Sequence, residues 1–158
     1  MRVLISGLWA FIFISSVAMA QPIESREGWQ VFDTDIAFDD LVTRMEAAIS
    51  AEKMGLVTQA SASNGARSQG IEIPGNRVMG VYRNDFARRM LDASVAAGIE
   101  APIRFYLAEN EGGGTTLAWK TPSFVFAPYL AEGGDDLQVL AVELDAIFMA
   151  IAQKAMAE

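Results

Sequence analysis

The residues best suited to recognition or chemistry are cationic and aromatic side chains on neighbouring predicted strands. Arg104 and Tyr106 share one face of a strand because they are two residues apart. Lys120 ends the partner strand, and Tyr82 or Arg83 could join from the preceding strand. Two cations beside aromatic rings in an acidic protein favour a small anionic or aromatic ligand. The alternative is a solvated sheet face on which these long side chains cover apolar surface.

The chain contains no His and no Cys. This composition excludes Ser-His-Asp and Cys-His triads, and it also excludes the common zinc and haem ligations. An oxygen-only Ca²⁺ or Mg²⁺ site is chemically open. We interpret the densest acidic cluster as negative charge that favours a helix N-terminus rather than as a metal site. Its members are Asp33, Asp35, Asp39 and Asp40. We therefore predict no metal and no cofactor.

Two other patterns have a weaker link to catalysis. The glycine run at 112–114 lacks the following Lys of a phosphate-binding loop, and a strand follows it where that loop requires a helix. Carboxylate pairs such as glycoside hydrolases use are uninformative among 20 acidic residues.

The leading hypothesis is a non-catalytic binding or structural module. Its rival is a small-molecule enzyme that acts through carboxylate, Lys120 or Tyr106 chemistry beside the 103–129 hairpin segment.

A predicted β-hairpin positions the candidate residues. Apolar and polar residues alternate over 103–108, and 115–119 forms the returning strand. The loop between them contains Asn, Glu and three glycines, which suit positive backbone φ angles. Prolines then bracket a short aromatic segment, which we predict to pack as a corner or to cover a ligand. Its aromatic members are Phe124, Phe126 and Tyr129.

Two amphipathic helices are predicted to cover the sheet. The first spans 38–53, where apolar residues recur every three or four positions. The last runs from Asp135 to about Lys154 and is apolar around most of its circumference, so it needs cover on two sides. The sheet supplies one side, and the first helix or a second subunit supplies the other; we favour the second subunit. The remaining predicted elements are strands at 29–34, 56–62 and 77–83 and a short helix at 85–97 with Asn84 as its N-cap.

The first 20 residues are predicted to be a secretory signal peptide that is cleaved after Ala20. They combine Arg2, an apolar run at 4–17 and the small-x-small pattern at 18–20. The run is shorter than the roughly 20 residues that span a bilayer. Cleavage would leave a polar linker at 21–28 and one α+β domain at 29–158. We therefore predict a periplasmic or secreted protein.

The charge balance argues against two classes of partner. The whole chain has a net charge of −8, and loss of Arg2 with the signal peptide would change it to −9. An acidic chain repels nucleic acids and anionic lipid surfaces. We therefore predict neither a nucleic-acid partner nor stable membrane insertion after signal cleavage.

Several stretches together resemble the domain-of-unknown-function family numbered 302. They are Phe38-Asp39-Asp40-Leu41-Val42, Gly98 to Arg104, the hairpin and Thr121-Pro122-Ser123, with Gly55 after the first helix. The pattern covers roughly 32–156. The resemblance implies a β-α-β(4)-α sheet with helices packed on one face and a homodimer, and the short helix at 85–97 is additional to it. It implies no activity, because the family has none established.

Overall fold

The computed structural model describes residues 23–157, so the predicted signal peptide at 1–20 lies outside the described part. The strands are β1 (Trp29–Thr34), β2 (Gly55–Ala60), β3 (Asn76–Tyr82), β4 (Ile103–Glu109) and β5 (Thr115–Lys120). The α-helices are α1 (Phe38–Ala51), α2 (Ala62–Arg67), α3 (Asn84–Ala93), α4 (Pro122–Phe126) and α5 (Leu130–Met156). Short 3-10 helices occupy Ala96–Glu100 and Ala127–Tyr129. Within residues 23–157, no helix combines the length and hydropathy that a membrane crossing requires.

The five strands form one sheet in the order β1-β5-β4-β3-β2, and every neighbouring pair is antiparallel. The first strand therefore pairs with the last one, and α1 connects it to the opposite edge. When the shorter helices α2, α3 and α4 are left out, the order of elements along the chain is β-α-β(4)-α. The predicted α+β class is confirmed.

The core lies between one face of the sheet and the helices α1 and α5. Phe105 of β4 is fully buried there, with its ring centroid 5.3 Å from that of Trp119 and 4.6 Å from that of Phe148. Phe32 of β1 stacks on Trp119 at 5.6 Å. These aromatic contacts join the adjacent strands β1, β5 and β4 to the last helix, and they help a chain without disulfides to hold its layers together.

The long helix α5 is covered mainly by its own chain. Helices α1, α3 and α4 all pack against it, so the first helix supplies cover as one of the two predicted alternatives. Cover by a second subunit stays a prediction. Val139 and Val142 on its outer side stay 55% and 57% exposed. The helix begins at Leu130, before the expected start at Asp135, but Gly134 has non-helical backbone angles and divides it.

The helix α3 is shorter than predicted and is capped differently. Asn84 is its first residue rather than its N-cap, and Arg83 precedes it in an extended conformation. The expected helix at 85–97 stops early because Ser94 is extended, with φ −152° and ψ 114°. The Ser94 hydroxyl accepts a hydrogen bond from the Ala97 amide at 3.1 Å, which starts the following 3-10 helix.

A bidentate ion pair joins α3 to α5 and predicts how the stability of the protein depends on pH. Arg89 donates from both terminal nitrogens to the Glu143 carboxylate, at 2.7 and 3.0 Å. This hydrogen bonding holds the pKa of Glu143 below its ordinary value of 4.5. A depressed folded-state pKa stabilises the protein above the unfolded-state value, and that stabilisation disappears as the pH falls through the folded-state pKa.

We therefore expect Glu143→Gln to lower stability slightly at pH 7, because both partners are partly exposed. The difference from wild type should shrink below about pH 4.5. Urea unfolding between pH 7 and pH 3 measures it. Arg89→Gln should give the same profile, and the double variant should lose little more. A difference that does not change with pH would contradict this prediction.

Candidate functional site

The strand register arranges a row of side chains across the sheet face opposite α1 and α5. Phe105 pairs with Trp119 and points into the core, so their neighbours Arg104 and Lys120 lie opposite each other on the other face. Trp29 pairs with Lys120, and Gly80 pairs with Arg104. The row therefore contains one aromatic ring, two cations and a position without a side chain.

A second row on the same face contributes three residues, Ala118, Tyr106 and Val78, to the floor of a pocket. Val31 pairs with Ala118, Ala118 with Tyr106, and Tyr106 with Val78. Ala118 is small, and it lies between larger neighbours. The pocket has a volume of about 500 Å³, within the usual range of small-molecule sites. We call it the sheet-face pocket. Its other walls include Trp29, Glu100, Arg104, Lys120, Phe124, Val125, Ala127 and Pro128.

Positive charge surrounds the sheet-face pocket. The Lys120 Nζ lies 5.8 Å from the centroid of the Trp29 ring, and the Arg26 guanidinium carbon lies 5.4 Å from it. Ion pairs among residues 23–157 join Arg83, Arg89 and Lys154 to carboxylates, and none of them includes Arg26, Arg104 or Lys120. The pocket thus presents to an incoming anion cations that no carboxylate of the described residues already pairs with.

One carboxylate, that of Glu100, also lines the pocket. The Tyr129 hydroxyl donates to its Oε1 at 2.8 Å. This hydrogen bond raises the pKa of Tyr129, because a phenolate could not donate and would lie beside a negative charge. Glu100 is consequently fixed in orientation by a neutral donor rather than by one of the pocket cations.

The aromatic wall of the pocket is held from two directions. Phe124 packs over Gly28, where a Cβ atom would lie only 2.0 Å from the ring. Gly28 also has φ +73°, which a side chain disfavours, and its carbonyl accepts from the Thr121 amide at 2.8 Å. On the other side, Asp145 of α5 accepts from the Ser123 amide at 3.0 Å at the start of α4. This double attachment fixes Phe124 at the pocket edge.

Three of the four predicted ligand residues line the sheet-face pocket: Arg104, Tyr106 and Lys120. Tyr82 does not, because it lies beyond the start of β4, pairs with Gly55 and lines a separate cavity of about 30 Å³. Sequence reasoning missed Trp29 and Glu100. Only the pairing of β1 with β5 brings Trp29 beside Lys120.

The proline-bounded aromatic segment divides its members between two roles. Phe126 is 2% exposed and belongs to the core, whereas Phe124 is 40% exposed at the pocket edge. Tyr129 is half-buried and holds Glu100. The segment is thus both a packed corner and a pocket wall.

The acidic cluster singled out in the sequence lies outside this pocket. Asp39 and Asp40 occupy the first turn of α1, and the Asp33 carboxylate accepts a hydrogen bond from the Thr116 hydroxyl at 2.5 Å.

Comparisons with known proteins identify relatives of this fold. A family profile described as "Domain of unknown function DUF302" matches residues 30–155. The crystal structure of an uncharacterized conserved DUF302 protein from Bacillus stearothermophilus has a TM-score of 0.71 and 16% sequence identity. That likeness covers 82% of this chain and 99% of the other. No curated protein matches this chain.

Proposed function

We propose that this chain, which belongs to the DUF302 family, is a non-catalytic module that binds a small anionic or aromatic molecule in the sheet-face pocket. One observation carries the proposal: an apolar, aromatic-walled pocket lies beside Arg26, Arg104 and Lys120, and none of these cations forms an ion pair within residues 23–157. A bound anion would supply the missing partner, and the aromatic walls would cover its apolar body.

The exposure of Lys120 supports binding over catalysis. A lysine that acts as a nucleophile is usually desolvated in an apolar pocket or placed against a second cation so that its amine is neutral. Lys120 is exposed and leans over the Trp29 ring, which suits a cationic contact with a ligand. With neither His nor Cys in the chain, recognition is the role that the site residues support best.

Two further features belong to the same proposal. We propose export to the periplasm or the medium, because the first 20 residues have the pattern of a cleaved signal. We propose a homodimer because Val139 and Val142 leave an apolar strip exposed on α5. Neither feature changes the chemistry of the pocket.

Native mass spectrometry of the protein purified from its own envelope tests the proposal. We expect a bound small molecule that is released on unfolding, and the same spectrum reports the number of subunits. Ala118→Leu should abolish that bound mass, because Ala118 is fully buried under the pocket floor and a longer side chain displaces the residues that shape that floor.

Ala108→Leu is the matched control. Ala108 lies on the same sheet face in the next row and outside the pocket lining, so this variant should retain the ligand. Thermal unfolding of both variants checks that each one folds. An empty wild-type protein, or equal ligand loss in the two variants, would contradict the proposed function and favour a solvated sheet face.

A further inference from the structure

Glu100 gives the sheet-face pocket a negatively charged wall among its cations. The carboxylate is half-buried, and Tyr129 fixes its Oε1 through the hydrogen bond at 2.8 Å. Within residues 23–157, no side chain donates to its Oε2 or forms an ion pair with it. One oxygen of a positioned carboxylate is therefore left to accept from a ligand or from solvent.

The Glu100 carboxylate and the pocket cations lie apart from each other, and this separation indicates which charges a ligand carries. Glu100 lies more than 4.0 Å from the cationic nitrogens of Arg104 and Lys120, since closer approach would make an ion pair. A pocket built only for a simple anion gains nothing from a nearby carboxylate, because like charges repel. The carboxylate becomes favourable when the ligand itself carries a donor or a positive charge.

We infer that the ligand is a zwitterion with an apolar, flat body, in the chemical class of the aromatic amino acids. This inference rests on the proposed function. The ligand carboxylate meets Arg104 and Lys120, and its ammonium group donates to Glu100. Its ring packs between Trp29 and Phe124, which edge the same pocket. A volume of about 500 Å³ accommodates a single aromatic amino acid.

Three probes that differ by one charged group test the inference by isothermal titration calorimetry. They are L-phenylalanine, 3-phenylpropanoate, which lacks the ammonium group, and 2-phenylethylamine, which lacks the carboxylate. We expect L-phenylalanine to bind at least about tenfold more tightly than 3-phenylpropanoate and about 100-fold more tightly than 2-phenylethylamine, because each charge-assisted contact is worth about tenfold or more. This comparison uses the unaltered protein and needs no variant to fold.

Glu100→Gln should then remove the preference for L-phenylalanine over 3-phenylpropanoate and leave the affinity for 3-phenylpropanoate unchanged or higher. Glu111→Gln in the exposed hairpin loop makes the same charge change outside the pocket and should preserve the preference. Circular dichroism confirms folding of both variants.

The outcomes separate this inference from the proposed function. If 3-phenylpropanoate binds as tightly as L-phenylalanine, and both are lost in Ala118→Leu, the zwitterion is wrong while a binding pocket stands. If none of the three probes binds, the inference is wrong, and the co-purified mass decides the proposed function separately. If the preference survives in Glu100→Gln, the assigned role of Glu100 is wrong.

Discussion

Replacing Phe105 by alanine is expected to lower the free energy of unfolding by about 3–5 kcal/mol. The Phe105 ring is fully buried, and it lies between the rings of Trp119 and Phe148. Its removal would leave a cavity that the surrounding side chains fill only in part, because a closely packed core relaxes little around a deleted ring. Urea unfolding followed by circular dichroism measures the change.

Phe124→Ala is the matched control for that prediction. The same side chain is removed, but Phe124 is 40% exposed at the pocket edge. Less apolar surface returns to water, so the expected loss is about 1 kcal/mol or less. Similar losses in the two variants would contradict the placement of the core between the sheet and α5.

The strands could be predicted because their signals are local. Residues 29–34 alternate in the pattern of a half-buried strand, and β1 has those same bounds. The hairpin is also encoded locally, since glycines at 112 and 113 adopt the positive φ angles that its loop requires. Helix α1 begins at Phe38 as its apolar spacing predicts. In each case the neighbouring residues suffice to determine the backbone.

The helix ends were harder to predict because they depend on distant contacts. Ser94 ends α3 while its hydroxyl hydrogen-bonds the Glu132 carboxylate of α5. No feature near Ser94 indicates this partner, which comes much later in the chain. The start of α5 is similar, since Glu132, the partner of Ser94, lies in the single turn before the interruption at Gly134. Tertiary contacts thus override the local capping preference.

The candidate site shows the same division between local and distant information. Arg104 and Tyr106 share a face by their spacing, and the hairpin places Lys120 opposite Arg104. Trp29 joins them only because β1 pairs with β5, and a sequence does not state which strand occupies which edge. Glu100 ends the 3-10 helix Ala96–Glu100, and only the first two residues of that helix fall within the predicted helix at 85–97. The charge of the site and the aromatic segment with Phe124 at its edge were predictable, but Trp29 and Glu100 were not.

The double variant Arg104→Gln with Lys120→Gln removes both cations that face the proposed ligand carboxylate. It is expected to weaken binding of 3-phenylpropanoate by about 100-fold. Each cation makes a charge-assisted contact with the ligand carboxylate, and each such contact is worth about tenfold or more. Binding of 2-phenylethylamine should be unchanged or tighter, because that probe has no carboxylate and gains from the lost positive charge. Isothermal titration calorimetry at two salt concentrations measures both probes, and the salt dependence for 3-phenylpropanoate should decrease.

A double variant of equal charge separates a local contact from the general field of the protein. Arg88→Gln with Lys53→Gln removes the same two charges from exposed positions outside the sheet-face pocket. A long-range field would weaken 3-phenylpropanoate binding similarly in both double variants, since each raises the net negative charge by two. Direct contacts would confine the large loss to Arg104 and Lys120. Equal losses would therefore contradict the assignment of these two residues to the ligand carboxylate, even with the pocket and the fold intact.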